Sequence, residues 1–129
     1  MARVLLIEDQ ESLVDTLSTL LALEGHRVFT ALEKSEVQAI LKNEAIELIL
    51  LDVYLVSEEG EEISGMEILD DIRRNQELTD TPVIMTSGSD LEDQVTEAGA
   101  DGFLMKPYMP DQLLSLIQSQ LANADPSSR

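Results

Sequence analysis

Five short, mostly apolar runs alternate along the chain with longer segments in which apolar residues recur at helical spacing. Near-continuous apolar runs of this length are typical of strands buried on both faces of a parallel sheet. Strands that alternate with helices predict right-handed crossovers and helices on both faces. The sequence therefore predicts an α/β fold, a doubly wound (βα)₅ sheet with strand order 2-1-3-4-5. The five runs are residues 4–7, 28–31, 48–51, 83–86 and 103–105.

Helix starts are marked by capping residues. Ser64 followed by Glu67, and Ser89 followed by Glu92, have the spacing of a capping box before the third and fourth helices. Pro110 suits the first turn of the fifth helix.

The length and the residue types that are missing narrow the possibilities further. A chain of 129 residues fits one domain, which we place at residues 1–122, with a short polar tail at 123–129. The absence of cysteine excludes disulfides, thiolate nucleophiles and Cys-ligated zinc. No apolar run approaches the ~20 residues that span a bilayer, and the start of the chain lacks a signal-peptide pattern, so we expect a cytoplasmic protein.

The charge is strongly negative. Eight Lys and Arg against 26 Asp and Glu give a formal net charge of −18. Direct contact with nucleic acid or an anionic membrane would begin with repulsion, so both are poor candidates. Divalent cations and basic partner surfaces are better ones.

Polar residues follow four of the five apolar runs at the point where each strand should end. Glu8 and Asp9 follow the first strand, Asp52 the third, Ser87 the fourth and Lys106 the fifth. The carboxyl ends of parallel strands share one edge of the sheet, where ligands bind at the reversal of strand order. Because neighbouring strands lie ~4.8 Å apart, Asp9 and Asp52 can share a small cation. Oxygen-only ligation favours Mg²⁺ over zinc.

Each of these residues alone is also compatible with an ordinary turn or helix cap, and only their joint placement points to a site. Two other features are interpreted as structural. His26 lacks a partner at metal or triad spacing and is expected to be a solvated turn residue. The acidic stretch at 58–62 lacks the spacing of a calcium-binding loop and is expected to be a solvated loop.

Taken together, the motifs resemble the chemotaxis-regulator-like receiver domain of response regulators in two-component signal transduction, which has a flavodoxin-like fold. The resemblance runs from about Arg3 to Leu121. The motifs that carry it are residues 7–9, 50–53, 82–88, 98–103 and 106–108, with Gly65 opening the third helix.

The resemblance implies a role for each residue at the sheet edge. Asp52 would be the phosphoacceptor for a sensor histidine kinase or phosphotransfer protein. Asp9 and Asp52 would ligate Mg²⁺ (or Mn²⁺) by their side chains and Tyr54 by its carbonyl, with Glu8 acting through a water. Ser87 would bind a phosphoryl oxygen and switch the partner-binding surface.

Two more residues complete the implied set. Lys106 would bind another phosphoryl oxygen and form a cis bond to Pro107, and Phe103 would be the aromatic residue that moves with the switch. The chain would signal to a downstream protein target rather than act as an enzyme, apart from self-catalysed phosphorylation and dephosphorylation.

The chain also departs from the family pattern. The family's usual proline four residues after the phosphoacceptor is Val56. The segment from Asp52 to Gly65 is about five residues longer than usual. The segment from Ser87 to Lys106 is about three residues shorter, which suggests that the fourth helix or its entry loop is shortened. The acidic insertion at 55–64 could be a mobile flap over the site or a tolerated surface insertion.

Three other functions remain open. A receiver-like adaptor would have the fold without taking phosphate. A haloacid-dehalogenase-type phosphatase also uses an aspartate nucleophile, but it would need a second acid where this chain has Tyr54. A flavodoxin-like flavin carrier needs phosphate donors after the first strand, where Glu8 and Asp9 repel phosphate.

Overall fold

The computed structural model describes residues 2–124 and contains all five predicted strands and all five predicted helices. It adds a two-stranded hairpin and a short 3₁₀ helix, Gln76–Leu78. The strands of the main sheet are β1 (Arg3–Ile7), β2 (Arg27–Ala31), β3 (Leu48–Asp52), β6 (Val83–Ser87) and β7 (Gly102–Met105), and the hairpin strands are β4 (Tyr54–Val56) and β5 (Glu62–Ser64). The helices are α1 (Glu11–Leu23), α2 (Lys34–Asn43), α3 (Gly65–Arg74), α4 (Glu92–Glu97) and α5 (Pro110–Ala124).

The main sheet is parallel throughout, and its order is β2-β1-β3-β6-β7. Since β6 and β7 are the fourth and fifth strands of that sheet, the predicted order 2-1-3-4-5 is confirmed. All five residues of the central strand β3 are buried. The order reverses between β1 and β3, so their carboxyl ends form the crevice where a ligand is expected.

Alternate residues of each strand feed two separate apolar cores. Leu5, Ile49 and Met85 pack on one face with residues of α2, α3 and α4. Their neighbours Leu6 and Ile84 pack on the opposite face with residues of α1 and α5. This double burial explains why the strand sequences are apolar runs rather than alternating patterns.

The expected helix caps are only partly correct. Ser64 Oγ accepts a hydrogen bond from Glu67 N at 3.3 Å, which confirms the cap of α3. The cap predicted at Ser89 is wrong, because α4 begins two residues later than that cap requires. The Ser89 N–H instead donates to Ser87 Oγ at 3.1 Å, in the turn that follows β6. Helix α4 has six residues, in agreement with the shortened helix expected there.

The acidic insertion is a β-hairpin, in which the expected solvated loop is the exposed turn at 58–61, while residue 62 already belongs to β5. Strands β4 and β5 pair in antiparallel register, with Leu55 opposite Ile63. Leu55 is buried between two exposed neighbours, and Ile63 is half-buried and packs against the same core. This two-residue alternation is a strand signal within the insertion. The turn is closed at Gly60, whose φ of +83° favours glycine.

Two smaller expectations also change. His26 is half-buried rather than simply solvated, because its Nδ1 accepts a hydrogen bond from the Ala2 N–H at 3.1 Å. Asn123 and Ala124, placed in the tail by the sequence, belong to α5. The rest of the predicted tail, 125–129, lies outside the described residues. Within residues 2–124, none of the helices has the length and apolar character needed to cross a membrane.

Candidate functional site

The three predicted acidic residues meet at the crevice between β1 and β3. Glu8 and Asp9 directly follow β1, and Asp52 is the last residue of β3, where Ile7 is paired with Leu51. One carboxylate oxygen from each acid lies within 4.8 Å of the others. Glu8 and Asp52 are 6% and 7% exposed, which is unusual for carboxylates. The sequence therefore predicted this acidic cluster correctly.

Lys106 reaches the acidic cluster from the far edge of the sheet. It follows β7, and its Nζ lies 2.9 Å from Glu8 Oε1 and 2.8 Å from Asp52 Oδ2. Its own N–H donates to the Ser87 carbonyl at 2.7 Å, and the bond to Pro107 is cis, as the resemblance implied. The side chain thus spans β6 to neutralise part of the charge at the crevice.

The electrostatics of the cluster are unbalanced, because one ammonium faces three carboxylates. Burial raises the pKa of Glu8, and the nearby Asp9 and Asp52 raise it further, against the opposing effect of Lys106. Burial alone would lower the pKa of Lys106, but the hydrogen bonds to Asp52 and Glu8 outweigh it and raise that pKa. The lysine is therefore charged at neutral pH, and the site retains an excess of negative charge.

The donor atoms fit a small hard cation. Glu8 Oε2 accepts from the N–H groups of Asp9 and Gln10 at 3.0 and 3.2 Å, while its Oε1 binds Lys106. Both Glu8 oxygens are thus engaged, which suits contact with a metal through a water. Among the hydrogen bonds described for residues 2–124, Asp9 and Asp52 each use only Oδ2, which leaves one oxygen of each to a cation. All these donors are oxygens, the set that Mg²⁺ prefers.

A cleft of about 700 Å³ lies beside Asp9 and extends the negative charge of the site. It is bordered by α1, α2 and the turn of the β4–β5 hairpin, and Lys and Arg are absent from its lining. A cleft lined by charge of one sign raises the local concentration of counter-ions. Its carboxylates are those of Glu8, Asp9, Glu11, Asp15, Glu33, Glu36, Glu58 and Glu59.

The remaining predicted residues lie on β6, β7 and β4. Ser87 is 1% exposed at the end of β6, the strand next to β3. Phe103 is half-buried opposite Met85 and packs against the core on the α4 face. Tyr54 begins β4, and its side chain points outward at 68% exposure, so only its main chain could serve the metal.

Two features of the site were missed by sequence reasoning. The main-chain N–H of Val56 donates to Asp9 Oδ2 at 2.8 Å, a contact with no side-chain signature. Tyr108 is half-buried and interacts electrostatically with Lys106, Glu8 and Asp52. Burial raises the pKa of its hydroxyl. The aromatic residue after Lys106 and Pro107 was the only signal for the second feature.

Comparison with known proteins identifies the family. The model of the response regulator receiver domain matches residues 4–118, most of the chain. The chain therefore belongs to the receiver domain family of two-component response regulators, as the motifs indicated. Receiver domains interact with histidine kinases, and the family typically binds Mg²⁺.

Individual relatives agree with this assignment. The chain is 36% identical over 133 residues to a transcriptional regulatory protein CpxR homolog of Haemophilus influenzae, covering 99% of this chain and 54% of that protein. It is 32% identical to a probable transcriptional regulator ycf27 of Porphyridium aerugineum, covering 98% and 50%. The chain thus spans about half the length of these curated relatives. A CheY-like receiver domain protein of Methanospirillum hungatei has a similar structure, with a TM-score of 0.83, 30% identity and 96% coverage of both chains.

Proposed function

We propose that this receiver accepts a phosphoryl group on Asp52 from a histidine kinase or phosphotransfer protein. The observation that carries the proposal is the Asp52 carboxylate itself, which is buried, bound by Lys106 and within 4.8 Å of two other acids. A carboxylate held among like charges costs stability, so a structural role alone does not account for it. A bound cation and an incoming phosphoryl group do.

The proposed transfer is an in-line displacement at phosphorus. A carboxylate oxygen of Asp52 forms the new P–O bond, and the P–N bond to the donor histidine breaks with its electron pair returning to the imidazole. Lys106 neutralises charge on the phosphoryl oxygens, and the Ser87 hydroxyl donates a hydrogen bond to one of them. The protein mainly positions the groups and stabilises charge, which is what phosphoryl transfer requires.

Asp9 and Asp52 would hold Mg²⁺ directly, with the Tyr54 carbonyl as a third ligand and Glu8 acting through a water. When bound, the ion neutralises the excess negative charge and admits an anionic donor to the site. The ligand atoms described above support this assignment because all of them are oxygens. Among the described residues, Lys106 is the only cationic side chain bound to these acids.

Phosphorylation would change the partner-binding surface through Ser87 and Phe103. The new phosphoryl group draws the Ser87 hydroxyl toward it, and Phe103 follows into the space released. Since a mark shifts an equilibrium only by differential contacts, these residues and Lys106 carry the coupling. The chain would then act on a downstream protein target as a signalling switch and not as an enzyme that turns over a separate substrate.

The test is labelling by acetyl phosphate with Mg²⁺, read by intact mass. We expect the wild type to gain one phosphoryl group and Asp52→Asn to gain none, because the amide has the same shape but is not a nucleophile. Asp93→Asn, which alters an exposed acid on α4, is the matched control and should label as the wild type does. Stoichiometric labelling of Asp52→Asn would contradict the assignment, and absence of label in the wild type would favour an adaptor that takes no phosphate.

A further inference from the structure

We propose that the β4–β5 hairpin is a positioning element for the metal site and that the N–H of Val56 holds the Asp9 carboxylate in its metal-binding orientation. The inference rests on the proposed Mg²⁺ site and assigns a role to the insertion beside it.

The contact is a hydrogen bond between the Val56 N–H and Asp9 Oδ2, with a length of 2.8 Å. A bond from a main-chain N–H to a carboxylate is charge-assisted and fixes the rotation of the carboxylate. With Oδ2 bound in this way, the other oxygen of Asp9 is the one left for the cation. The donor belongs to the backbone, so it cannot rotate away as a side chain can.

The hairpin holds the Val56 N–H in place from both sides. On one side, Leu55 is 1% exposed and anchors β4 in the core. On the other, Ser57 closes the turn: its N–H donates to the Glu61 carbonyl at 2.8 Å, and its Oγ accepts from Glu61 N at 3.1 Å. Its carbonyl also accepts from Gly60 N at 2.9 Å. Val56 therefore lies between a buried anchor and a hydrogen-bonded turn.

The side chain at this position does not explain its place in the fold. Val56 is 47% exposed, so its methyl groups contribute little to the core, and its defined interaction is made by the backbone. The family pattern usually has a proline here, which has no N–H to donate. The N–H that binds Asp9 is therefore available because Val56 stands where the family pattern has proline.

The two ends of the contact must influence each other. If an ordered hairpin strengthens Mg²⁺ binding by some factor, bound Mg²⁺ must stabilise the ordered hairpin by the same factor. The acidic turn at 58–61 is carried by the same hairpin. Loading of the metal site is thus expected to be sensed on the surface that carries this turn.

The first experiment compares Mg²⁺ affinity by calorimetry in the wild type, Val56→Pro and Val56→Ala. Proline removes the N–H that faces Asp9 and, since that N–H is not paired with β5, leaves the hairpin ladder intact. Hydrogen-bond partners of metal ligands are commonly worth 10-fold or more in affinity, so we expect Val56→Pro to bind about 10-fold more weakly. Val56→Ala keeps the N–H and should bind as the wild type does.

A second variant guards against a proline that distorts the strand. Replacing the Leu55–Val56 peptide bond by an ester through semisynthesis exchanges the Val56 N–H for an oxygen with little change in backbone shape, and it should weaken Mg²⁺ binding as proline does. In the wild type, the amide exchange of Ser57 and Glu61, followed by NMR, should slow when Mg²⁺ is added. A merely structural hairpin would show neither effect.

The outcomes separate this inference from the function on which it rests. Equal Mg²⁺ affinity in the wild type and the ester variant, with normal labelling of the wild type by acetyl phosphate, would overturn the inference alone. Failure of the wild type to bind Mg²⁺ would overturn the metal site and the inference together.

Discussion

Arg73 and Lys106 are two largely buried cations in the same small domain, and they differ in how their charge is matched. The Arg73 side chain is 18% exposed and joins two loops, α3–β6 and α4–β7, at the end of the sheet away from the acidic cluster. It donates to the carbonyls of Leu78, Thr81 and Gly99 at 3.1, 2.9 and 2.8 Å and to Asp101 Oδ2 at 2.7 Å. One charge meets one carboxylate, and the other acceptors are neutral.

Lys106 has nearly the same exposure, 23%, but its surroundings are not balanced. It binds Glu8 and Asp52, and Asp9 lies beside them. The arginine cluster is complete as it stands, whereas the lysine cluster retains two negative charges beyond what the lysine neutralises. Burial of a cation therefore does not by itself distinguish a structural ion pair from a candidate functional site. An uncompensated negative charge next to the buried cation does distinguish them.

The largest effect is expected from Arg73→Ala, which removes the guanidinium from three carbonyls and leaves Asp101 Oδ2 with the Val83 N–H but without its ion pair. We expect a loss of about 3 kcal/mol in the free energy of unfolding, measured by urea denaturation. Arg74→Ala is the control, since Arg74 is 77% exposed in a surface pair with Asp70 and should change stability by less than about 0.5 kcal/mol. Acetyl phosphate labelling of the folded fraction should be unchanged in Arg73→Ala. A specific loss of labelling would mean that the two cation clusters are not independent.

Lys106→Met is expected to cost about 1–2 kcal/mol without metal, because it removes the only cation from the buried carboxylates. Added Mg²⁺ should raise the Tm of this variant more than it raises that of the wild type, since the ion supplies the missing positive charge. Thermal unfolding with and without Mg²⁺ measures the difference. An equal rise in Tm with Mg²⁺ in both proteins would show that the metal does not replace the charge of Lys106.

The raised pKa of Glu8 predicts that the stability of the protein depends on pH. The folded protein binds the Glu8 proton more tightly than the unfolded chain does, so protonation favours folding. The contribution of Glu8 to stability is therefore fully present below the usual pKa of 4.5 and is lost as the pH rises through the raised value. Without metal, the stability of the wild type relative to Glu8→Gln should fall over that range. A difference that rises with pH would contradict the sign.

The smallest change in stability is expected from Ser87→Ala, about 0.5–1 kcal/mol, since the hydroxyl accepts one hydrogen bond, from the Ser89 N–H. The variant should still be labelled at Asp52. Its NMR shifts around Phe103 should no longer follow phosphorylation, because the lost charge-assisted bond is comparable to a typical coupling energy of about 1–3 kcal/mol. A wild-type pattern of shifts in the phosphorylated variant would refute the coupling.

The sequence predicted those parts of the molecule that depend on one residue and its place on a strand. Buried strands of a parallel sheet have a strong apolar signal, and residues at their carboxyl ends must share an edge. The sequence therefore predicted correctly that Asp9, Asp52 and Lys106 meet at one edge, whereas their roles there stay predictions. The charge and the length of these three side chains also determine which contacts they can make across the sheet edge.

The parts that were not predicted depend on backbone geometry or on distant partners. Ser89 does not cap α4, and its N–H donates to Ser87 Oγ instead. The spacing of a capping box does not predict that competing contact. The bond from Val56 to Asp9 is made by an N–H, which every residue except proline has. Arg73 contacts three carbonyls from two loops, and main-chain carbonyls give no side-chain signal. The apolar residues Leu55 and Ile63, one in each hairpin strand, were present in the sequence, but the glutamates between them favoured a loop.

The return of the chain at Gly65 has a consequence for how this domain could be rebuilt. The Gly65 N–H donates to the Val53 carbonyl at 2.8 Å, and a Cβ at Gly65 would collide with the Asp52 carbonyl. The entry and exit of the hairpin are thus adjacent in space, and the closure is made outside the hairpin itself. Adding residues between such ends costs little entropy, because loop-closure cost grows slowly with length. The exposed turn at 58–60 is therefore a place into which a reporter peptide could be grafted beside Asp52 without moving β3, α3 or the Val56 N–H.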